Sequence, residues 1–303
     1  LVLFDGKRQT VTGSTANDGS VFVNTSAIPV IALDRVEGLK EGAASVYGSD
    51  AVAGVVNYIF RRDFTGFEVD ITSQETDLGD SKDRRGSFIW GGESGDTNLV
   101  VAYSTLSRSP LSQSELELAP LGVSGLGTSF LLFGPSTVES GPYAGTYSAF
   151  ENVGDPNCVA NKGIVIPQAS GFRCGFKYGP RFNIVNDEDH DQLYVSLKTV
   201  LASGVEAKFD YLSADTEVYD NPQSPSYPAL SYLSPANAIL PGKGGNPFGV
   251  PVLWLGRPLA SAFPSPFAPR EIEMDRVSFG LSGTFDNGFD WNFDMTRSAE
   301  DNY

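Results

Sequence analysis

The stretch EGAASVYGSDAVAGVVNYIFRRDFTGFEVDIT, Glu41 to Thr72, contains a change of rule that decides the fold. In its first half Gly42, Gly48 and Gly54 recur among Ala and Ser, residues small enough for backbone to pack on backbone. Val55, Val56, Tyr58, Ile59 and Phe60 then read as a buried strand. From Gly66 onward the pattern has a period of two: Phe67, Val69 and Ile71 share one face, Glu68, Asp70 and Thr72 the other. A compact small-residue domain therefore gives way, between Arg61 and Gly66, to two-faced strands.

Upstream, LVLFDGKRQ runs into Asp5-Gly6, the strongest short hairpin signal a sequence offers. AIPVIALDRVEGLK places an irregular or helical turn after Pro29 and then a strand through Val36 and Leu39. Downstream, the period of two returns repeatedly. RGSFIWGG and NLVVAYST carry it with breaks at Ile89 and Val100, and DQLYVSLKTVL sets Leu193, Val195 and Leu197 against Gln192, Tyr194 and Ser196. Ala207, Phe209 and Tyr211, then Val277, Phe279 and Leu281, then Trp291, Phe293 and Met295 repeat it, for about seven strands in all. Short connections (GESGD, ASG, DNG) alternate with long ones at about 109–189 and 219–270. That two-sided length rule belongs to a transmembrane up-and-down meander, and a soluble sandwich has no such rule. Phe285, Phe289 and Trp291 bracket the last short turn as an interfacial aromatic girdle would.

A net charge of -16 with a pI near 4.4 argues against nucleic acid as a partner. No apolar block reaches the roughly 18 residues a transmembrane helix needs, whereas a barrel strand needs only about 9 to 11. One histidine and no nucleophile motif argue against an enzyme, and no cofactor is expected. Cys158 and Cys174, in a stretch rich in Gly, Pro and Asn, read as one loop-closing disulfide, the alternative being two unrelated thiols. NDEDHDQ offers Asp187, Asp189 and His190 as conceivable metal ligands against the plainer reading of a solvated loop end. Tyr143, Tyr147, Tyr227 and Tyr232 lie in the long connections, where they either stack on a bound solute or pack the loops together. The chain opens in mid-strand and stops at the end of a strand, so both ends are expected to be cut.

Asp34 to Phe64 resembles the C-terminal signature of the plug domain of TonB-dependent outer-membrane receptors. In that family an Arg-Val/Ile-Glu-Val-Leu strand is followed by a Tyr-Gly-Ser step and a Gly-Val-Val-Asn-Ile-Ile strand. The matching residues are Arg35, Val36 and Glu37, then Tyr47, Gly48 and Ser49, then Gly54 through Asn57. The family's upstream LVDGRR element is matched by Leu3 to Arg8, including Asp5, Gly6 and Arg8. Gly38 departs from the pattern, standing where the family has a β-branched residue.

The resemblance implies a mainly β chain, with residues 1–65 the C-terminal part of an α+β plug. Residues 66–303 would be the first part of a transmembrane antiparallel barrel, about seven strands of about 22. It further implies a receptor in the bacterial outer membrane, surrounded by lipid, that imports a scarce large solute: an iron-siderophore, haem, cobalamin or an oligosaccharide. Energy would come from TonB with ExbB and ExbD, through an N-terminal segment outside this sequence. The competing expectation is a secreted or surface β-rich adhesin or glycan-binding protein, whose apolar strand faces would have to meet a second sheet.

Overall fold

The computed structural model describes residues 1–13, 19–40, 44–77, 81–115, 122–202, 204–222, 235–256 and 267–303. They form a mainly β chain in two compact units. One unit comprises residues 1–110, 186–220 and 269–303; the other comprises 111–185 and 221–268.

The first unit contains two sheets. The smaller has the order β2-β1-β4-β3, from β1 (Val2–Phe4), β2 (Lys7–Arg8), β3 (Leu33–Leu39) and β4 (Val55–Phe60). Asp5 and Gly6 turn β1 into β2 with φ values of 49° and 78°, the all-positive geometry that Asp-Gly accommodates best. β1 pairs parallel to β4, and β3 pairs antiparallel to it. One short helix, α1 (Ala44–Tyr47), lies between β3 and β4. Gly54, at φ 121°, lets β4 begin against β3, since a Cβ there would stand 2.7 Å from the Leu39 carbonyl oxygen.

The larger sheet is a seven-stranded antiparallel meander: β5 (Gly66–Glu75), β6 (Lys82–Ser94), β7 (Thr97–Arg108), β17 (Asp187–Val200), β18 (Glu206–Asp220), β20 (Arg270–Thr284) and β21 (Asp290–Asn302). These are the strands that the period-two pattern marks out. At one rim β6–β7, β17–β18 and β20–β21 join through tight turns; from the other leave the connections 76–81, 109–186 and 221–269. Apart from a register shift between Asp187 and Glu188 at the start of β17, every pairing keeps in-register neighbours, so side-chain alternation is continuous across the sheet.

One face of this sheet receives the small sheet. Ile89, Val100, Ala102, Tyr194, Leu212, Ala214 and Met274 form a single buried core with Phe4, Ala27, Ile28, Ala32 and Phe60. The boundary read from the sequence at residues 65 and 66 separates the two sheets, and this shared core joins them in one compact unit. The opposite face carries the alternating apolar residues and leaves them uncovered: Ile71 is 81% exposed, Phe67 63% and Met295 65%. Hence the residue patterning that builds the strands also builds a sheet with one packed face and one bare apolar face.

The second unit gathers the two long connections. β10 (Ser129–Leu132) lies between β13 (Asn152–Gly154) and β19 (Val252–Trp254), so strands of both connections share a sheet. Smaller pieces surround it. β8 (Leu111–Ser112) pairs with β16 (Asn183–Val185), and β11 (Ser136–Val138) with β12 (Gly145–Tyr147). β9 (Val123–Ser124), β14 (Ile164–Pro167) and β15 (Phe172–Lys177) make a third sheet. Leu132, Val153, Phe248 and Val252 form the core, with Phe130, Tyr143 and Tyr147 edge-on to the Phe248 ring. A disulfide joins Cys158 to Cys174.

Candidate functional site

The linker after β4 brings the two sheets of the first unit together chemically. Gly91 of β6 makes room for it, since a Cβ there would lie 2.0 Å from the Phe64 carbonyl oxygen. Arg62 then reaches across to Asp210 of β18, its Nη2 2.5 Å from Oδ2 and its Nε 3.1 Å from Oδ1. The same Nη2 stands 3.0 Å from Asp5, whose other oxygen accepts the Phe60 backbone N–H at 3.1 Å. Ser196 donates to Asp210 at 2.8 Å and Tyr194 at 3.3 Å, while the Tyr194 ring stacks on Phe60 with centroids 4.6 Å apart.

Arg276 of β20 completes the seam. It donates to the carbonyls of Phe4 and Arg8 and to Gln9 Oε1, and its guanidinium lies 5.4 Å from the centre of the Phe4 ring. Lys7 spans the same boundary to Asp294 at 2.8 Å. Burial pushes the Asp5 carboxyl above its ordinary range, partly offset by Arg62 and by the Phe60 N–H. For Arg62 burial alone would favour the neutral form, but Asp210 and Asp5 outweigh it and hold the guanidinium charged.

Two clefts flank this seam. Toward the long-connection rim, a cleft of about 540 Å³ lies between residues 25–31 and the wall strands β5, β6, β7 and β17. Its lining offers Arg85, Arg108 and His190, the hydroxyls of Ser26, Ser87 and Ser104, and Gln192. Arg108 is held by both oxygens of Asp83 at 2.9 and 3.0 Å and by Glu188 at 2.7 Å. The buried Nε2 of His190 has no hydrogen-bond partner among the described residues and stands 3.6 Å from Glu188. Toward the short-turn rim, a second cleft of about 580 Å³ gathers Arg35, Arg61, Arg62, Lys198 and Lys208 with Asp5, Asp34, Asp63 and Glu68. Asp70 also lines the first cleft, and Arg35, Arg61, Arg62, Arg108, Lys198 and Lys208 are each paired with a carboxylate, so the arrangement offers mixed-charge surfaces for polar groups on either side of a closed seam.

The signature residues at Asp5 to Asn57 converge in the small sheet. Asn57 accepts the Gly6 N–H at 2.9 Å and lies 3.5 Å from Glu37, which Arg35 contacts at 2.9 Å. Arg8 binds the Asp50 carboxylate and donates to the Tyr47 carbonyl at 2.7 Å; Arg8 holds Asp50 below the usual carboxylate range. Tyr47 packs on Leu3, Ala51 and Val55, Gly48 and Gly54 take positive φ, and Ser49 lies 3.5 Å from Asp50. Val36 pairs with Tyr58 and is itself exposed.

The trio Asp187, Asp189 and His190 is not brought together. Alternation along β17 turns His190 into the cleft and Asp189 to the opposite face, where Tyr219 donates to it at 3.0 Å. Asp187 sits at a register shift beside Asp220, to which its backbone N–H donates. From Asp187 to Gln192 this stretch is therefore strand rather than loop end. Tyr143 and Tyr147 are packed into the loop core, and the Tyr147 hydroxyl donates to the Tyr143 carbonyl at 2.8 Å. Tyr227 and Tyr232 lie outside the described residues. Sequence reasoning missed the seam itself. Its available signal was Arg276, a charged residue between Met274 and Ser278 at inward positions of its strand, and Asp210, which precedes Leu212 and Ala214 on the inward face of β18.

No family model matches the chain. An iron-regulated outer membrane virulence protein of Vibrio cholerae, in two serotype O1 strains, is 30% identical over 113 residues. The match covers 36% of this chain and 17% of the relative, so the chain corresponds to a minor part of that protein's length. Among solved structures, the ferric enterobactin receptor of Pseudomonas aeruginosa superposes in two mutant forms with a TM-score of 0.50 at 13% and 14% identity. One of these holds enterobactin, and the superposition covers 98% of this chain and 33% of the receptor. A siderophore receptor from Acinetobacter baumannii aligns with a TM-score of 0.39 at 13% identity, covering 100% of this chain and 40% of its own.

Proposed function

We propose that this chain, which has the fold of the TonB-dependent outer-membrane receptors and lies in the outer membrane, is part of a receptor for energy-coupled uptake of ferric siderophores. Residues 1–65 supply the end of the plug, and residues 66–303 the first strands of the barrel that surrounds it. The observation that carries the reading is the two-faced sheet. Its bare apolar face would be a severe liability in water and is the expected surface in lipid. Its other face holds a small sheet between two charged clefts.

Iron supports the choice of solute over haem, cobalamin or an oligosaccharide, since the relatives are named for iron regulation and for siderophores. The cleft at the long-connection rim, with Arg85 and His190, suits an anionic ferric complex. The outer membrane offers no energy source, so transport would draw on TonB with ExbB and ExbD.

The test is uptake of radioactive iron as a panel of ferric siderophores by cells carrying the complete receptor, with and without TonB. Accumulation that needs both supports the reading. Failure of every siderophore, or uptake indifferent to TonB, contradicts it.

A further inference from the structure

The structure assigns to His190 the moving part of a proton-operated clasp at the root of the connection 109–186, tight in mildly acidic medium and slack in neutral medium. The inference goes beyond the transport reading and holds whichever solute is carried.

Three observations converge. The first is position. Arg108 ends β7, and Glu188 follows the register shift that opens β17; the two are paired in register and face inward where the chain departs into the connection. Asp83 of β6 stands in register on the other side of Arg108, and His190 is the next inward residue of β17. Ser109, the first residue of the connection, is tied back to Ser81 and Lys82.

The second is a nitrogen without a bond. The Nε2 of His190 is shut off from solvent and has no hydrogen-bond partner among the described residues. It stands 3.6 Å from Glu188 Oε1, the oxygen that also accepts Arg108 Nη1 at 2.7 Å. A neutral imidazole presents there either a lone pair against a carboxylate or an N–H beyond bonding reach, and leaving a buried polar group unpaired is costly. A protonated imidazole presents a charged N–H, and a side-chain movement of under about 1 Å brings it to the length of a charge-assisted bond.

The third is the balance of charge. Facing His190 are Glu188 on its own strand, Arg108 on β7, Asp83 and Arg85 on β6, and Asp70 on β5. Residues 25–31 carry no charge, and β18 sets Thr216 opposite His190 and Val218 opposite Glu188. Arg270 of β20 follows Val218 in register, and Asp187 meets Asp220 at the register shift. Both oxygens of Asp83 hold Arg108, so Glu188 shares a guanidinium that is already paired. A proton on His190 supplies the missing positive charge. Imidazole is the side chain that changes charge between about pH 5 and 8. Its protonated form is better satisfied with the root zipped than frayed, so by linkage the zipped population falls as pH rises through that range. Arg108 and His190 line the rim cleft, which therefore loosens at that edge in neutral medium.

The experiment follows amide hydrogen exchange of the complete receptor in lipid nanodiscs, without solute or TonB, between about pH 5.5 and 7.5. Each rate is corrected for the pH dependence of exchange in an unfolded peptide. Amides from Ser107 to Ser109 and from Glu188 to His190 are expected to lose protection roughly tenfold across that range, the size expected for one bond to a charged group. Those from Val195 to Leu197, in mid-strand, are expected to stay constant. His190→Gln keeps a polar tip but takes no proton, and it should flatten the profile. Glu188→Gln removes the carboxylate and should flatten it too; it carries the test where His190→Gln does not fold, folding being read from heat-modifiable migration in gels. A flat profile in the native receptor, a slope that survives in a folded variant, or an equal slope from Val195 to Leu197 overturns the proposal. Because no transport is measured, failure of the uptake reading and failure of the clasp are told apart.

Discussion

Gly91 and Asp5 show how much depends on single positions. A methyl group at Gly91 would meet the Phe64 carbonyl at 2.0 Å, a backbone atom that cannot step aside, whereas at Gly86 it would meet only a Thr105 methyl at 3.8 Å. Gly91→Ala should therefore destabilise the folded receptor by about 1–3 kcal/mol and Gly86→Ala by little, read as shifts in urea midpoint. Equal midpoints would mean that the linker does not lie against β6. Asp5 gives a pH dependence with a definite sign. Its folded-state pKa is raised above 3.8, so its contribution to stability is fully present below 3.8 and is lost as pH rises through the folded value. Protection of the Asp5 amide, which donates to the Tyr58 carbonyl, should fall across that window, and Asp5→Asn should flatten the slope. A steeper slope in the variant would contradict the burial of this carboxyl. The signature itself was legible because its residues bond to one another within the small sheet. Arg62 was not, because its partner lies 148 residues away and no local pattern points across that distance.

At the scale of elements, the seven long strands were legible wherever one face is apolar and the other polar. β17 begins with Asp187, Glu188, Asp189, His190 and Asp191, polar on both faces, so its first turn of pleat read as loop. Pairing with β7 and β18 makes it strand all the same, with Arg108 and Tyr219 satisfying the carboxylates on the two sides. The strands of the second unit are mostly two to four residues long, too short for any period to register. Their order comes from the shared aromatic core and the Cys158–Cys174 bridge. Replacing both cysteines by serine should loosen that unit by about 3 kcal/mol on the chain-entropy view of a loop this size. Trypsin should then cut faster at Lys162, Arg173 and Lys177 while the seven-stranded sheet keeps its resistance. Unchanged cleavage at those sites would remove the bridge from the account of how this unit is held.

For the whole molecule, the alternation that makes each strand also assigns the two faces of the sheet to different surroundings. The exposed Val69, Phe209 and Phe279 lie on one face, and Ser87 and Ser104 line the cleft on the other. Loop parity made the transmembrane reading possible from sequence, since the short turns all fall at one rim. What the sequence withheld is that the two long connections pack into a unit of their own, because that depends on β10 meeting β19 more than a hundred residues later. The central claim is that the bare face lies in lipid and the other face encloses a polar interior. Nitroxide labels at Val69, Phe209 and Phe279 of the complete receptor in bilayers should be relaxed by oxygen, and labels at Ser87 and Ser104 by a water-soluble nickel chelate. Nickel access at the first three positions equal to that at the serines would contradict it.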